Sequence, residues 1–212
     1  MIDTPPKVIL LDIEGTTTSI AYVAEILFPY ARERIPAWVP IHREELAPVI
    51  AAMPPGDPVA TLLDWMDKDA KETALKNIQG RIWREGYEAG ELKAHVYPDT
   101  PVALRRWTEA GIKLCIYSSG SIEAQKLIFG HSEAGDLTRY LSGYFDTTTG
   151  PKREADSYAA IAAALELAPA DILFISDVAA ETDAAKAAGL RALLIDRDTG
   201  QGDVASFAEV LP

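Results

Sequence analysis

Val8-Ile9-Leu10-Leu11-Asp12-Ile13-Glu14-Gly15-Thr16-Thr17 joins four consecutive apolar residues to an acidic, glycine-containing turn. Val8 to Leu11 is too short for a helix and too continuously apolar for a half-exposed strand. It reads as a strand buried on both faces, as in a parallel sheet. The polar residues begin where the strand ends, and in open α/β sheets ligands bind outside that carboxyl edge. Asp12 and Glu14 stand two residues apart, which leaves both carboxylates on the same side of an extended chain. Gly15 then allows the backbone to turn away. One carboxylate can serve as nucleophile and the other as general acid and base. The competing reading is a plain strand end followed by a polar turn.

The same signature recurs three times. Leu114 to Tyr117 runs into Ser118 and Ser119, Ile172 to Ile175 into Ser176 and Asp177, and Ala192 to Ile195 into Asp196. Between these strands the pattern is helical. Thr100-Pro101 suits a helix start with a hydroxyl cap, running to Gly111. Ser121 to Phe129 reads as a helix stopped at Gly130. Tyr158, Ile161, Ala162 and Leu165 mark one helical face. Glu181 to Ala188 reads as a helix stopped at Gly189. Alternating strands and helices predict a doubly wound parallel α/β sheet.

Residues 20–97 show helical periodicity without a convincing strand. Ala21 to Arg34 is amphipathic and is expected to break before Pro36, Pro54-Pro55-Gly56-Asp57-Pro58 is a turn, and Val59 to Tyr87 reads as one or two helices. The expected organisation is an α/β core of residues 1–19 and 98–212, with a helical cap, residues 20–97, inserted after the first strand.

Composition narrows the partners. With 32 acidic against 20 basic residues, the formal charge is −12. Such a surface repels nucleic acid and anionic lipid, so neither is expected as a partner. An anionic substrate would need a local cation. The single cysteine, Cys115, rules out an intrachain disulfide and fits a reducing, cytoplasmic compartment. Met1-Ile2-Asp3-Thr4-Pro5-Pro6 is unlike a leader, and no apolar run is long enough to span a membrane. A monomer is expected.

Ser118-Ser119-Gly120-Ser121 ends a strand and opens a helix, where hydroxyls and free N–H groups can seat a phosphate. Ser121 itself is better read as the helix cap. Lys152, after Gly150-Pro151, is the candidate cation, with Arg153 its competitor. Asp177 against Asp12 would repel unless a cation bridged them, and oxygen ligands with few protein positions suit Mg²⁺. The competing reading, acids favoured at a helix N-terminus, fits Glu181 and Asp183 well and Asp177 less well. His42, His95 and His131 share no ligand spacing. No Walker loop, no Gly-x-Gly-x-x-Gly and no Gly-x-Ser-x-Gly elbow occurs.

Asp12, Ser118, Lys152 and Asp177, in that order, resemble the four motifs of the haloacid-dehalogenase-like hydrolase superfamily. Longer stretches narrow the likeness: Asp12-Ile13-Glu14-Gly15-Thr16-Thr17-Thr18-Ser19-Ile20, Phe28-Pro29-Tyr30-Ala31, Gln79-Gly80-Arg81-Ile82-Trp83, Gly86-Tyr87, His95-Val96-Tyr97-Pro98-Asp99 and Tyr117-Ser118-Ser119-Gly120-Ser121. These are similar to the enolase-phosphatase E1 family over nearly the whole chain. The resemblance implies a Mg²⁺-dependent phosphatase of methionine salvage. Its small-molecule substrate would be 2,3-diketo-5-methylthiopentyl 1-phosphate, first enolised and then dephosphorylated to the acireductone. Carried over by position, Asp12 is nucleophile and metal ligand. Glu14 is general acid/base with its carbonyl on the metal, and Asp177 is the second carboxylate ligand. Ser118, Ser119 and Lys152 hold the phosphate. Val178-Ala179-Ala180-Glu181-Thr182-Asp183 resembles the family less than the rest, which leaves Glu181 and Asp183 outside the catalytic set as possible supporting groups. The insert is implied to close over the substrate, and a raised Glu14 pKa is expected if the closed site is dry. The alternatives are a phosphatase of the same superfamily for another phosphate ester and, distantly, a receiver-like module carrying a phospho-aspartate.

Overall fold

The computed structural model describes residues 4–211. Met1–Asp3, half of the start read as unlike a leader, and Pro212 lie outside the described residues. The chain forms two compact units, one of Met1–Ile20 with Ala94–Pro212 and one of Ala21–Lys93.

The first unit is built on one parallel sheet. Its strands are β1 (Val8–Leu11), β2 (Lys113–Tyr117), β3 (Leu141–Phe145), β4 (Ile172–Ser176) and β5 (Arg191–Leu194), in the order β3-β2-β1-β4-β5. β1 sits in the middle, wholly buried, as its unbroken apolar run predicts. Leu11 is level with Ile116 of β2 and Ile175 of β4. The residues that follow these three strands therefore emerge along one edge, at the point where the strand order reverses.

β3 is absent from the sequence reading. Leu141-Ser142-Gly143-Tyr144-Phe145 is an edge strand paired only with β2 and only half-buried, so it needs no continuous apolar run. Gly143 meets a close neighbour there, since a Cβ at that position would lie 3.0 Å from Cys115 Sγ. Burial pushes the Cys115 thiol up to about 11, so it is a core residue and not a reactive one.

The helices of this unit are α5 (Asp99–Glu109), α6 (Ile122–Gly130), α7 (Ala155–Ala164) and α8 (Ala179–Ala187), numbered after the four of the second unit. Two local expectations change. Thr100 is not the cap of α5, which begins one residue earlier. Its buried hydroxyl instead donates to the Thr17 carbonyl at 3.1 Å. Gly130 ends α6 from within rather than stopping it from outside, and Ser121 caps the start, accepting from the Ala124 N–H at 3.3 Å. Gly111 and Gly189 do adopt the left-handed conformation past their helices. Residues 94–97 group with this unit. The Tyr97 N–H donates to the Thr17 carbonyl at 3.1 Å, the Ala94 N–H to that of His131 at 2.9 Å, and the Thr18 hydroxyl to that of His95.

One face of the sheet packs Val8, Leu10, Cys115, Tyr117 and Phe174 against Tyr158, Ile161 and Ala162 of α7. The rings of Tyr117 and Phe174 lie 5.5 and 5.1 Å from that of Tyr158. Fully burying side chains of this size contributes about 1.5–3 kcal/mol each. The two phenols do more than pack. Tyr117 donates to the Gly150 carbonyl at 2.8 Å and Tyr158 to the Lys152 carbonyl at 2.6 Å, while Ser157 Oγ donates to the Pro151 carbonyl at 2.7 Å. Three consecutive carbonyls are thereby tied to the core, and Lys152 is carried on them.

The second unit is helical: a π-helical turn (Tyr22–Leu27) leading into α1 (Phe28–Ile41), then α2 (Ala47–Ala51), α3 (Pro58–Asp67) and α4 (Thr73–Glu88). α1 passes through Pro36 and Pro40 instead of breaking before the first. An interior proline costs about 3 kcal/mol. Ile35, Trp38 and Val39 are buried on either side of Pro36 and offset that cost. Trp83 donates to the Leu27 carbonyl at 2.8 Å and is buried within this unit. No helix among the described residues is long and apolar enough to cross a membrane.

Candidate active site

Asp12, the first residue past β1, is buried. Its Oδ1 accepts from the Ile13 N–H at 2.7 Å and lies 2.6 Å from Lys152 Nζ. Its Oδ2 lies 2.9 Å from Ser176 Oγ. Lys152 is equally close, 2.6 Å, to Glu181 Oε2, so one ammonium bridges two carboxylates. Burial disfavours that ammonium, but Asp12 and Glu181 outweigh the effect and hold its pKa above the ordinary lysine value. Arg153, the competing cation, is exposed.

Glu14 stands on the same turn. Its carboxyl accepts a long hydrogen bond, 3.4 Å, from Ser118 Oγ, and that hydroxyl accepts in turn from the Gly120 N–H at 3.2 Å. The ends of β1 and β2 thus meet through Glu14 and Ser118. Ser119 follows, exposed. Burial first and the charge of Asp12 second raise the Glu14 pKa above the ordinary carboxyl value, the direction a general acid needs.

Asp177 follows β4. Its N–H donates to Thr16 Oγ1 at 3.0 Å. Gly15 has φ +70°, and a Cβ there would fall 2.1 Å from Asp177 Oδ2, so only glycine lets the turn lie this close to the carboxylate. Burial and then Asp12 push the Asp177 pKa up to about 6. The structure therefore brings Asp12, Glu14, Ser118, Lys152 and Asp177 to one edge of the sheet.

Two groups belong here that the sequence reading left out. Glu181, on the first turn of α8, is buried and turned toward Lys152 rather than toward solvent. Burial and then Asp12 raise its pKa. Ser176 Oγ lies between Asp12 Oδ2 and Glu181 Oε2, 3.0 Å from the latter, and its single proton can serve one of them at a time. The available signal was spacing: Glu181 lies four residues after Asp177, one helical turn along. Asp183 is exposed. Asp196 is spent locally, accepting from the N–H groups of Asp198, Thr199 and Gln201.

Four carboxyl groups stand in this cluster beside one ammonium, which pairs with Asp12 and Glu181, and three of the four have raised pKa values. Asp177 Oδ1 is buried without a protein hydrogen-bond partner. Both observations fit a cation seated against Asp12 and Asp177. No group of three or more His, Cys, Asp or Glu side chains is gathered for metal binding among the described residues. Asp12 and Asp177 offer two carboxylates, the kind of donor set Mg²⁺ takes while keeping its waters and a substrate oxygen.

The chain is similar to known proteins along nearly its whole length. The family profile "haloacid dehalogenase-like hydrolase" matches residues 6–189. Enolase-phosphatase E1 of Pseudomonas aeruginosa (strain LESB58) is 52% identical, covering 97% of this chain and 98% of its own. Enolase-phosphatase E1 of Azotobacter vinelandii is 49% identical, covering 98% of each. Among solved structures, the UTR4 protein of Saccharomyces cerevisiae superimposes with a TM-score of 0.75 at 35% identity over 90% of each chain. With the five-stranded core and its acidic edge, these relationships place the chain in the haloacid dehalogenase-like hydrolases, and within them it belongs to the enolase-phosphatase E1 family.

Proposed function

We propose that the protein is a Mg²⁺-dependent enolase-phosphatase that converts 2,3-diketo-5-methylthiopentyl 1-phosphate to the acireductone and phosphate in methionine salvage. The observation that carries this reading is the meeting of Asp12, Glu14, Ser118, Lys152 and Asp177 at one sheet edge, in a chain about half identical to enolase-phosphatase E1 relatives from end to end.

Asp12 attacks phosphorus as a carboxylate and needs no base to activate it. The bond from phosphorus to the enol oxygen breaks, and Glu14, whose pKa burial raises, gives that oxygen its proton. Glu14 then takes a proton from water as the water attacks the phospho-aspartate, which returns Asp12 and releases phosphate. Lys152 keeps Asp12 oriented through Oδ1. Ser118 joins the phosphate seat to Glu14, with Ser119 beside it at the helix start. Mg²⁺ held by Asp12, Asp177 and the Glu14 carbonyl would supply charge to offset repulsion between carboxylate and phosphate.

The direct test is phosphate release from the diketone phosphate with Mg²⁺ and with EDTA, following ultraviolet absorbance for the enol. Metal-dependent release together with an enol signal is the expected result. Folded protein that releases no phosphate at any metal concentration overturns the reading.

Metal binding should also depend on pH in a stated direction. The cation needs ionised Asp177. With its pKa at about 6, Asp177 is mostly ionised at about pH 7.5 and mostly protonated at about pH 5.5. Mg²⁺ at roughly a hundredfold over its Kd adds about 2.7 kcal/mol of stability. The rise in melting temperature on adding Mg²⁺ should therefore be clear at the higher pH and shrink at the lower. An increment unchanged between the two removes Asp177 from the set.

A further inference from the structure

We propose that Arg197, just beyond β5, is a positioning residue that sets the affinity of the Asp12–Asp177 edge for a divalent cation. This rests on the Mg²⁺ reading above.

The Arg197 side chain is nine-tenths buried and held through Nε and Nη1, while its Nη2 is buried without a protein hydrogen-bond partner. Its Nε donates to the Thr16 carbonyl at 2.7 Å, and its Nη1 lies 3.1 Å from both carboxylate oxygens of Asp99. Its guanidinium lies 4.0 Å from the ring centre of Tyr97 and 4.6 Å from that of Phe207. Asp99 is itself fixed, accepting from the Phe207 N–H at 2.7 Å. A guanidinium whose Nη1 is shared between both oxygens of one carboxylate, whose Nε is bonded to Thr16 and which lies against two rings has little freedom.

What this grip holds is Thr16, which is wholly buried. Its carbonyl is taken by Arg197, and its hydroxyl accepts from the Asp177 N–H. Thr16 follows Gly15, whose backbone stands directly against the Asp177 carboxylate. A shift of Thr16 therefore moves both the wall beside that carboxylate and the anchor of its backbone. The line Asp99–Arg197–Thr16–Asp177 ties the cation-facing acid to a cluster outside the ligand set, and supporting groups of this kind change metal affinity when lost.

The test is Mg²⁺ binding measured by calorimetry without substrate. Arg197→Lys keeps the charge beside Asp99 but cannot also make the Nε bond to Thr16. It should weaken Mg²⁺ binding by about tenfold. Thr16→Val, which lacks the hydroxyl facing Asp177, should weaken it similarly, and Thr16→Ser should restore it. The double variant Arg197→Lys/Thr16→Val should fall short of the product of the two losses, because both act through one link. In turnover, the Mg²⁺ concentration for half-activation should rise while the substrate KM at saturating metal holds. A folded Arg197→Lys protein that binds Mg²⁺ as tightly as wild type overturns the proposal, even with a lowered melting temperature. If Arg197→Lys does not fold, equal binding by Thr16→Val and Thr16→Ser overturns it. Wild type that binds Mg²⁺ but leaves the diketone phosphate intact overturns the function reading alone, and the proposal about Arg197 is still decided by the variants.

Discussion

Asp12→Asn is expected to lower phosphate release by about 10⁴-fold or more, the scale of losing a nucleophile, while the protein stays folded. The amide keeps the size of the carboxyl, its oxygen can still accept from the Ile13 N–H, and its NH₂ can donate to Ser176 Oγ. The ion pair with Lys152 is lost, but Glu181 still pairs that ammonium. The charge removed also raises the pKa of Glu14, Asp177 and Glu181, so neutralising it relieves repulsion at three places. These changes oppose one another, and the melting temperature should move little. Phosphate release and thermal unfolding on one preparation check both halves. Turnover at the wild-type rate would exclude attack by Asp12, and collapse of the fold would show that the ion pair to Lys152 carries more weight than the repulsion.

Lys152→Met should have the larger effect on stability. Methionine retains the apolar stem but leaves Asp12 and Glu181 buried without their shared cation. Breaking a buried pair costs about 3–5 kcal/mol, and each kcal/mol moves the melting temperature by about 2–4 °C at this size. The expected fall is on the order of 10 °C, together with loss of phosphate release. It should also depend on pH. Lys152 lowers the Glu181 pKa against burial and Asp12, so its removal lets that pKa rise further. A carboxyl whose folded pKa lies above its unfolded value makes the folded state bind more protons, and stability falls as pH rises through that window. The deficit should therefore be smallest in acid and grow toward neutral pH. A deficit constant with pH would mean that lost packing, not unpaired charge, is what the variant suffers.

The short, continuously apolar strands and the residues directly after them were legible in the sequence because a central parallel strand has no wet face. Val8–Leu11 cannot hide its pattern, and Asp12, Ser118 and Asp177 are marked by where the apolar run stops. β3 was not legible, since an edge strand tolerates Ser142 and Gly143. The helix through Pro36 was not legible either. Local rules count the missing hydrogen bond, while the burial of Ile35, Trp38 and Val39 that offsets it is a property of the packed unit.

By itself the sequence determined the parallel α/β class, the order of the chemistry-bearing residues and the need for a cation in an acidic chain, because each follows from periodicity, position or charge along one dimension. Only the tertiary structure decided which acids share Lys152, that Glu181 faces inward, that Gly15 must be glycine because Asp177 stands against it, and that Arg197 reaches back across the sheet edge to Thr16. Each of these depends on distances between residues far apart in the chain, and those distances exist only once β1, β4 and β5 lie side by side.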